Sequence, residues 1–499
     1  MAKRTGRSGS AGAAKSASAA VGTTGVRTGV RAGGGGRQKL VIVANRMPVR
    51  RVRKGQKGFW ETSPGGLVAA IAPVLKERGG AWVGWDGSTG GRKSAPFDHE
   101  GFRVLPVPLT RDEYERFYAG FSNSTLWPLY HDMIREPAFH RHWWRPYVRV
   151  NQKFAEQAAA ASGARDMVWV QDYQLQLVPG MLREMRPKSR IGFFLHIPFP
   201  PEELYAKMPW RRQVIEGLLG ADVIGFQDQL SARNFSRAAR RFTEAAGDEQ
   251  TLRYQGRKIE VSAFPISIDT EQFHDLAADP EIIVAAERFR ASWSHRKIIL
   301  GVDRLDYTKG IDIRLRAYEE VLSRGNVTAK DCVFIQVAVP TRQSVNDYND
   351  LRDTVERYVG RINGEFATTD HIAVHYVFRS LPIKELMACY LAADVMMVTP
   401  LRDGMNLVAK EYAATRLKDT GVLVLSEFAG AAAEMGSALT VNPYDIDGMA
   451  DVMEQALTLD PANAKKRMAA LRRVVKRNSV HDWSDSFIER LSGGGSAGK

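Results

Sequence analysis

The sequence predicts an α/β protein built on two parallel sheets. Short apolar runs rich in β-branched residues alternate with helical stretches, which is the pattern of parallel strands joined by crossover helices. The alternation occupies two halves of comparable size, which a crossing segment at residues 263–273 joins. Polar side chains follow several of the runs, and such positions share one edge of a parallel sheet. With 499 residues, the chain is long enough to bury a sizeable core.

In the first half, several predicted strands end in polar residues. Arg46 and Asp172 close two apolar runs, and His196 follows a third. Because the carboxyl ends of parallel strands meet, we expect these side chains to surround one ligand. A lone histidine after a strand is more often structural, so the inference depends on the three together. The runs that predict strands are residues 39–46, 81–87, 102–109, 166–173, 190–200 and 221–227.

The second half carries cations at its predicted strand ends. Arg304 and Lys309 flank the turn after the first strand, and Arg342 ends the second. Two cations on one loop would clamp a diphosphate and stabilise it as a leaving group. That pair alone could equally belong to a solvated loop, but a third cation on the same rim favours a phosphate site. The predicted strands are residues 297–310, 332–342, 372–378, 394–400 and 421–428.

Residues 401–412, LRDGMNLVAKEY, join a strand to a helix through a tight glycine turn. Gly404 breaks the strand and Asn406 is a good N-cap, so the helix that follows should begin with unpaired backbone N–H groups. Such a helix start binds anions. Asp403 on the turn would bind hydroxyls, and Glu411 would lie near a ribose. Taken alone, the stretch is more typical of an ordinary strand-to-helix turn.

Two further signals are weak by themselves. Gly65 and Gly66 precede an apolar helix, where a backbone can approach a ligand closely, but their spacing is not GxGxxG. Residues 114–147 are rich in aromatics, among them Tyr118 and Trp127. Aromatic faces suit sugars, although most such side chains simply pack.

Composition narrows the classes of function. Cys332 and Cys389 lie in apolar surroundings without metal-ligand spacing, which indicates a reducing cytosol. Asp445 and Asp447 form a DxD pair that could hold a divalent ion, but the pair opens a helix, so a capping role is favoured. No apolar run approaches the ~20 residues of a membrane span. The phosphate-loop motif of ATP-binding proteins is absent.

The net charge of +14 is uneven along the chain. Residues 1–37 hold seven lysines and arginines and no acidic residue, which leaves +7 for the remainder. Their glycine, alanine and serine content cannot bury a core, so we predict a disordered basic tail, although such a tail could imitate a transit peptide. Neither a basic and aromatic stripe nor a zinc-finger spacing is present, so nucleic acid is not an expected partner.

These motifs give the chain a resemblance to a known family. The stretches ANR, SPGGL, WVGW, FSNSTLWPLYH, DYQLQLVP, GFFLHIPFP, GVDRLDYTKG and TPLRDGMNLVAKEY fall in the order found in trehalose-6-phosphate synthases. Over residues 39–491 the chain resembles this family of retaining GT-B glycosyltransferases. The resemblance implies two Rossmann-like domains facing each other across a cleft, and glucose transfer from a nucleotide-glucose donor, UDP-glucose first, to glucose 6-phosphate. It implies no cofactor and no metal, and a cytoplasmic homo-oligomer, a dimer or tetramer.

The resemblance also implies roles by position. Arg46, Tyr118 and Arg342 would hold the acceptor phosphate, Trp127 would shape the acceptor pocket, and Asp172 would bind acceptor hydroxyls. The residues expected to contact the donor are Gly65, Gly66, His196, Arg304, Lys309, Asp403, Asn406, Leu407, Val408, Ala409, Lys410 and Glu411. Those expected to act in catalysis are Asp172, His196, Arg304, Lys309 and Asp403. One departure is visible, because the family usually reads HDYHL where this chain has QDYQL, with Gln171 and Gln174.

The family is thought to react on one face of the sugar, the departing diphosphate helping to deprotonate the acceptor. This agrees with the absence of a strand-end carboxylate assigned as nucleophile, and it makes Arg304 and Lys309 the main electrostatic contribution. Two alternatives stay open: a catalytically silent sugar-phosphate sensor, and another GT-B enzyme such as a glycogen-type synthase or an epimerase. The complete donor clamp argues against the first, and the acceptor-phosphate residues argue against the second.

The expected domain organisation follows from these assignments. The last helical stretch covers residues 450–491. We predict a basic tail at 1–37, an acceptor domain at 38–265, a nucleotide-sugar domain at 266–475, a C-terminal helix at 476–491 that packs back on the first domain, and a flexible tip at 492–499.

Overall fold

The computed structural model describes residues 38–54, 57–63, 66–91, 94–342 and 346–493. The predicted tail at residues 1–37, Gly65 and residues 494–499 of the predicted tip lie outside this part of the chain. The described residues contain two large sheets with helices between their strands and one two-stranded hairpin, so the α/β prediction is confirmed. None of the helices described here has both the length and the apolar character that crossing a bilayer requires.

The first half of the chain contains the larger sheet, which has ten strands, and a separate two-stranded hairpin. Its strands are β1 (Leu40–Arg46), β2 (Val49–Lys54), β3 (Lys57–Thr62), β4 (Gly80–Trp85), β5 (Phe97–His99), β6 (Phe102–Pro106), β7 (Met167–Gln171), β8 (Arg190–Phe194), β9 (Val223–Phe226), β10 (Ala246–Gly247), β11 (Thr251–Tyr254) and β12 (Arg257–Ala263). Its helices are α1 (Gly66–Arg78), α2 (Arg111–Glu113), α3 (Trp127–Tyr130), α4 (Arg141–Ala161), α5 (Val178–Met185), α6 (Glu202–Tyr205), α7 (Arg211–Leu218) and α8 (Gln229–Phe242). A π-helical segment, Tyr114–Leu126, lies between α2 and α3.

The second half contains the smaller sheet. Its strands are β13 (Lys297–Arg304), β14 (Cys332–Val339), β15 (Val374–Val377), β16 (Val395–Val398), β17 (Val422–Ser426) and β18 (Leu439–Val441). Its helices are α9 (Thr270–Ala278), α10 (Pro280–Ala291), α11 (Ile311–Arg324), α12 (Asn346–Phe366), α13 (Ile383–Ala392), α14 (Leu407–Thr415), α15 (Ile446–Thr458) and α16 (Pro461–Arg477), and α17 (Val480–Ser492) ends the described chain.

Near the middle of each of the two large sheets, the sequence order of the strands changes direction, and we call this position the reversal point. The smaller sheet runs β15-β14-β13-β16-β17-β18, all parallel, which is the 3-2-1-4-5-6 order of dinucleotide-binding folds. The larger sheet runs β10-β11-β12-β9-β8-β7-β1-β4-β6-β5 and is parallel from β12 to β6. Ligands bind beyond the carboxyl ends of the strands at such reversal points. Here these ends lie after β1 and β7, and after β13 and β16.

The predicted strands are all confirmed, in most cases as segments slightly shorter than their apolar runs. Their central residues are buried on both faces, as the fully buried patterns of β7 and β16 illustrate. Parallel strands covered by helices on both faces read as continuous apolar runs, which is why they were predictable. The hairpin β2–β3, the edge strands β5 and β10, and the strands β11, β12 and β18 were not predicted. Most of these are short or polar at alternate positions and lack that signal.

The last helical stretch, predicted at residues 450–491, is helical over most of its length. It forms three helices, because Asp460 caps α16 ahead of Pro461 and Ser479 begins α17 with a capping box to Asp482. The final helix therefore starts at Val480 rather than at residue 476. It ends at Ser492, inside the predicted flexible tip.

Helix α17 lies against the larger sheet. The Phe487 ring stacks on Trp169 of β7, with ring centroids 4.3 Å apart. Neighbouring strands present glycines to the same ring, Gly192 on β8 and Gly225 on β9. A Cβ on Gly192 would lie 2.7 Å from Phe487 Cε1 and 3.1 Å from Leu491 Cδ2. These glycines let the helix approach the sheet closely.

We expect Gly192→Ala to destabilise the protein by about 1–3 kcal/mol, because the added methyl group must displace the Phe487 ring from a packed core. Urea unfolding curves measure the change. The matched control is Gly360→Ala in α12, where a Cβ would meet nothing within 4 Å and alanine is the better helix former. If both variants unfold at the wild-type urea concentration, α17 does not depend on this close approach.

Candidate active site

A cleft of about 840 Å³ is lined by residues from the carboxyl ends of both sheets. The predicted site residues that line it are Arg46, Tyr118, Trp127, Asp172, His196, Arg304, Arg342 and Asp403. Gly66 is the first residue of α1, whose next two residues also line the cleft. The structure thus brings strand ends separated by up to 357 positions in sequence around one cavity, as the parallel-sheet argument predicted.

Arg46 and Tyr118 meet on a tryptophan that the sequence did not single out. The Arg46 guanidinium lies 4.1 Å from the centre of the Trp85 ring, and the Tyr118 ring centroid is 5.9 Å from the same ring. Gly87 has a φ of 89°, and any side chain there would overlap the guanidinium. The cation therefore stays at the cleft with its outer surface exposed. It is positioned by stacking rather than by an ion pair.

Asp172 follows β7 in a strained conformation. Its φ is 73° and its ψ is 169°, a region that glycine normally occupies and that costs about 1–3 kcal/mol for other residues. Its carboxylate accepts a hydrogen bond from the backbone N–H of His196 at 3.2 Å. Burial raises the pKa of Asp172 to about 6, against the opposing effect of Arg304 and Arg342. Strain of this kind is characteristic of a side chain that is held towards a ligand.

His196 is neutral and fixed at the boundary between the halves. Burial lowers its pKa to about 3. Its Nε2 lies 3.0 Å from Oε1 of Gln171, so the first glutamine of QDYQL contacts the histidine directly. On the opposite side, a Cβ on Gly404 would overlap the His196 carbonyl oxygen. The backbone of the second half therefore touches the backbone of the first at this point.

Lys309 and Asp403 form an ion pair that the sequence did not predict. The ammonium of Lys309, which is 7% exposed, bonds the Asp403 carboxylate. Asn406 Nδ2 donates to the same carboxylate oxygen at 3.0 Å. Although burial opposes ionisation, Lys309 holds the pKa of Asp403 below its usual range. The loop after β13 and the turn after β16 are thereby fixed to each other, and Lys309 keeps two N–H groups for a ligand.

The start of α14 differs in part from the prediction. Asn406 occupies the N-cap position, but with a φ of 79° and without a side-chain capping bond, because its amide is directed to Asp403. The first backbone N–H groups of the helix consequently lack capping by the Asn406 side chain, as an anion site requires. Lys410 does not present its ammonium to the cleft, because it is buried against Glu434 and bonds the Ile266 carbonyl at 2.9 Å. Its side chain is therefore not available for a donor.

Glu411 lies one turn further along α14. Tyr390 donates a hydrogen bond to its Oε2 at 2.8 Å, and burial raises the pKa of this carboxyl. Its other oxygen has no hydrogen bond among the described contacts, so it can accept from a ligand hydroxyl. The geometry is compatible with the ribose contact expected from the sequence.

Arg342 reaches from the second half to the first. Its guanidinium carbon lies 3.7 Å from the centre of the Trp127 ring, and Nη2 donates to the Tyr173 hydroxyl at 3.1 Å. On its own side, Nη1 lies 3.2 Å from Asp306 Oδ2 and also bonds the Tyr348 hydroxyl. Arg304 approaches the same tryptophan, at 5.6 Å. The indole of Trp127 thus faces two cations.

A buried cluster of polar and charged side chains supports the loop that carries Lys309. Arg314 is fully buried and donates to Asp303 at 2.6 Å, to Thr399 at 2.8 Å and to the carbonyl oxygen of Lys309 at 3.3 Å. Gly301 leaves room for it, since a Cβ there would overlap the guanidinium. The cluster connects β13, α11 and the end of β16 to the backbone beside the Lys309 cation. Arg314 is therefore a structural support of the loop.

Several residues of the site escaped the sequence prediction. They are Trp85, Asn123, His131, Gln171, Tyr173, Asp306, Arg314, Tyr348 and Tyr390. Tyr173 and Gln171 flank the predicted Asp172, and Asp306 lies between the two predicted cations, so adjacency was an available signal. The others carried none: Trp85 ends strand β4, His131 follows α3, and the rest lie on helical segments.

The described residues contain no group of three or more His, Cys, Asp or Glu side chains arranged for a metal ion. Asp445 of the DxD pair caps α15, its Oδ1 accepting from the Gly448 N–H at 2.9 Å, as predicted. The described residues that can bind an anion include the cations Arg304 and Lys309 and the N–H groups at the start of α14.

Comparison with known proteins places the chain among glycosyltransferases. Residues 38–493 match the model of glycosyltransferase family 20. A trehalose-6-phosphate synthase of Mycobacterium sp. (strain KMS) is 49% identical over 471 residues, covering 92% of this chain and 96% of that protein.

Two solved structures share the whole described fold. An E. coli protein bound with UDP-2-fluoro glucose has a TM-score of 0.85 and 34% identity, covering 91% of this chain and 99% of that one. A UDP-forming α,α-trehalose-phosphate synthase from Burkholderia xenovorans, in complex with glucose 6-phosphate, has a TM-score of 0.83 and 36% identity, covering 91% of this chain and 100% of that one. These likenesses confirm the GT-B architecture of two Rossmann-like domains.

The raised pKa of Asp172 predicts a pH-dependent stability. A folded-state pKa near 6, above the ordinary value near 4, means that the carboxyl stabilises the fold below pH 4 and that this contribution is lost as the pH rises through 6. We expect Asp172→Asn to gain about 1–1.5 kcal/mol of stability relative to wild type between pH 5 and pH 8. Urea unfolding at both pH values measures this. Asp370→Asn, an exposed carboxylate, is the control; a pH-independent difference for Asp172→Asn would show that burial does not raise this pKa.

Proposed function

The chain belongs to glycosyltransferase family 20, and we propose that it is an active trehalose-6-phosphate synthase. It transfers glucose from UDP-glucose to glucose 6-phosphate with retention, giving α,α-trehalose 6-phosphate and UDP. The E. coli and B. xenovorans neighbours bind a UDP-sugar and glucose 6-phosphate, which assigns both substrate classes to this fold. The observation that carries the proposal is one cleft where the cations Arg304, Arg342 and Arg46 meet the carboxylates Asp172 and Asp403.

The donor is assigned to the second half of the chain. Its diphosphate would lie between Arg304, the two remaining N–H groups of Lys309 and the backbone N–H groups at the start of α14. The ribose would bond Glu411, whose carboxylate Tyr390 holds in place. The glucose would lie near His196 and Asp403, at the point where the two halves touch. A neutral imidazole there suits sugar hydroxyls because it adds no charge.

The acceptor is assigned to the first half, with Arg342 as the contribution from the second. A guanidinium has five N–H groups, and Asp306, Tyr348 and Tyr173 take three of those of Arg342. The remaining two, one on Nε and one on Nη2, can grip a phosphate at two points. The buried indole N–H of Trp127 has no partner within the described structure, and Arg46 and Tyr118 complete a phosphate cradle. Asp172 would then accept from the sugar hydroxyls.

The chemistry supported by these residues is substitution on a single face of the donor sugar. The anomeric carbon–oxygen bond to the diphosphate breaks, the acceptor hydroxyl oxygen forms the new bond on the same face, and its proton passes to the leaving diphosphate. Asp403 is the carboxylate nearest the assigned glucose, and it is occupied by Lys309 and Asn406. Its charge is compensated, so it is a poor candidate for the nucleophile of a double displacement. The reaction depends instead on cations that stabilise the departing diphosphate.

Two alternatives are disfavoured by particular contacts. A silent sensor would not need both donor cations, yet Lys309 is fixed by Asp403 and its loop by Arg314. A polymer-extending GT-B enzyme would not need a phosphate cradle, yet Arg342 is held at the acceptor side by Trp127 and Tyr173.

The domain boundaries, the cellular compartment and the oligomeric state are further parts of this proposal. We place the acceptor domain at residues 38–265 and the nucleotide-sugar domain at 266–475, with the C-terminal helix returning to the first. Two free, buried cysteines are compatible with a reducing cytoplasm. A homo-oligomer, either a dimer or a tetramer, is proposed from the family resemblance.

The direct test incubates the purified protein with glucose 6-phosphate and UDP-, ADP- or GDP-glucose in turn, with and without EDTA. We expect trehalose 6-phosphate and UDP, identified by NMR with both anomeric centres in the α configuration, and the same rate with the chelator. Failure to form the disaccharide phosphate from any donor would contradict the proposed function. Loss of activity in EDTA with recovery on adding a divalent ion would contradict the metal-independent chemistry.

We expect Arg304→Ala to lower kcat on the order of 10²–10³-fold while raising the donor KM less, because its cation matters more as the glycosidic bond breaks. Lys309→Ala should do the same and also lower Tm, since it leaves Asp403 buried and unpaired. The double variant should fall short of the product of the two effects, because both cations act on one diphosphate. Steady-state kinetics and thermal melts measure these changes.

Arg316→Ala, on an exposed position of α11, removes a cation outside the site and is the matched control. Variants that bind donor poorly yet turn over at the wild-type rate at saturation would show that the cations only hold substrate.

A further inference from the structure

We propose that Asn123 is a positioning residue of the acceptor site, which acts through Tyr173 to orient the guanidinium of Arg342 and thereby sets the affinity and selectivity for a phosphorylated acceptor. The inference rests on the proposed function, since it assigns Arg342 to the acceptor phosphate. Asn123 does not line the cleft and is 2% exposed, so it does not contact a substrate in this arrangement.

Asn123 belongs to an unusual element. The segment Tyr114–Leu126 is π-helical over 13 residues, whereas π-helices are mostly single turns and are frequent at functional sites. Its side chains bond carbonyls five residues back: Asn123 Nδ2 donates to Tyr118 O at 2.8 Å, and Ser124 Oγ donates to Ala119 O at 2.9 Å. The segment thus ties Asn123 to the backbone of Tyr118, one of the assigned acceptor residues.

The hydrogen bonds from Asn123 to Arg342 have a fixed direction. A guanidinium has no acceptor, so Arg342 Nη2 must donate to the Tyr173 hydroxyl, at 3.1 Å. The single hydroxyl proton of Tyr173 then goes to Asn123 Oδ1, at 2.8 Å. This leaves the Asn123 amide nitrogen to donate to Tyr118 O. Each group has one orientation that satisfies its neighbours, and the two linking side chains, Asn123 and Tyr173, are each 2% exposed.

Helix α3, which continues directly from this segment, holds Arg342 from a second side. Trp127 follows the last residue of the segment, and its ring receives the guanidinium at 3.7 Å. Asp306 and Tyr348 hold Nη1 from the second half of the chain. The Tyr173 bond is therefore the polar contact from the first half that fixes the plane of the guanidinium, and Asn123 fixes Tyr173. The plane decides where the two remaining N–H groups point.

A mobile Arg342 would still carry its charge but would lose the geometry for two-point binding of phosphate. The loss should fall on the phosphorylated acceptor, because unphosphorylated glucose makes no use of these N–H groups. The donor, which is assigned to other residues, should be unaffected. A change at Asn123 should thus weaken recognition of the acceptor phosphate and leave donor binding unaffected.

The test compares Asn123→Ala, Tyr173→Phe and the double variant with wild type. The control is Ser124→Ala, which removes a neighbouring bond of the same kind without a link to Arg342. The readouts are KM for each substrate, kcat, the ratio of kcat/KM for glucose 6-phosphate over glucose, the Kd of glucose 6-phosphate by calorimetry, and Tm.

We expect each single variant to raise the glucose 6-phosphate KM and Kd on the order of tenfold, with the donor KM and saturated kcat near wild type. The selectivity ratio should fall by the same factor, and the double variant should be no worse than the poorer single variant. Ser124→Ala should keep wild-type values. If Asn123→Ala fails to fold, Tyr173→Phe, which keeps the ring, carries the test.

An unchanged glucose 6-phosphate Kd, an equal rise in the donor KM, or the same effect from Ser124→Ala would overturn the proposal while leaving the proposed function intact. A wild-type protein that binds glucose 6-phosphate but forms no disaccharide would contradict the proposed function, and the Kd comparison would still decide the role of Asn123. A wild-type protein that does not bind glucose 6-phosphate would overturn both.

Discussion

The ion pair between Lys309 and Asp403 is the contact on which the arrangement of the site depends. The two residues follow β13 and β16, the strands on either side of the reversal point of the smaller sheet, and their ion pair joins the two loops. Removing charges from water is expensive, and such a pair persists only where its geometry is good and further bonds support it. Asn406 supplies such a bond to Asp403, and Arg314 fixes the backbone beside Lys309.

The turn that carries Asp403 also contacts the first half of the chain. The turn that carries Asp403 continues into Gly404, which lies on the carbonyl oxygen of His196, and Gly430 lies on Gly404 in turn. Glycines at these positions let backbone meet backbone, so a sugar bound there would be enclosed by both halves. Arg402 adds an ion contact to Asp132 of the first half, at 3.2 Å. The boundary between the halves is therefore polar and narrow at the cleft, unlike the apolar packing under α17.

The sequence allowed most of the fold and the outline of the site to be predicted. Buried parallel strands give continuous apolar runs, and polar residues that end such runs must share one edge, and Arg46, Asp172, His196 and Arg304 do line one cleft. What could not be predicted was which charges neutralise one another. Lys309 and Asp403 were assigned to different parts of the donor, and Lys410 was expected to contact the donor although Glu434 binds its ammonium. Pairing across 94 and 24 positions depends on loop geometry that no local pattern encodes.

The position of helix α17 in the sequence determines when, during synthesis, the larger sheet can be fully covered. The helix covers β7, β8 and β9, so the face of the larger sheet that carries Trp169 stays open until residues 480–492 have been synthesised. The roughly 250 residues between β9 and α17 correspond to tens of seconds of synthesis at about 5–20 residues per second. During that interval the nascent first half exposes an aromatic surface that α17 covers in the folded protein. The length of this exposure is therefore set by the distance in sequence between β9 and α17.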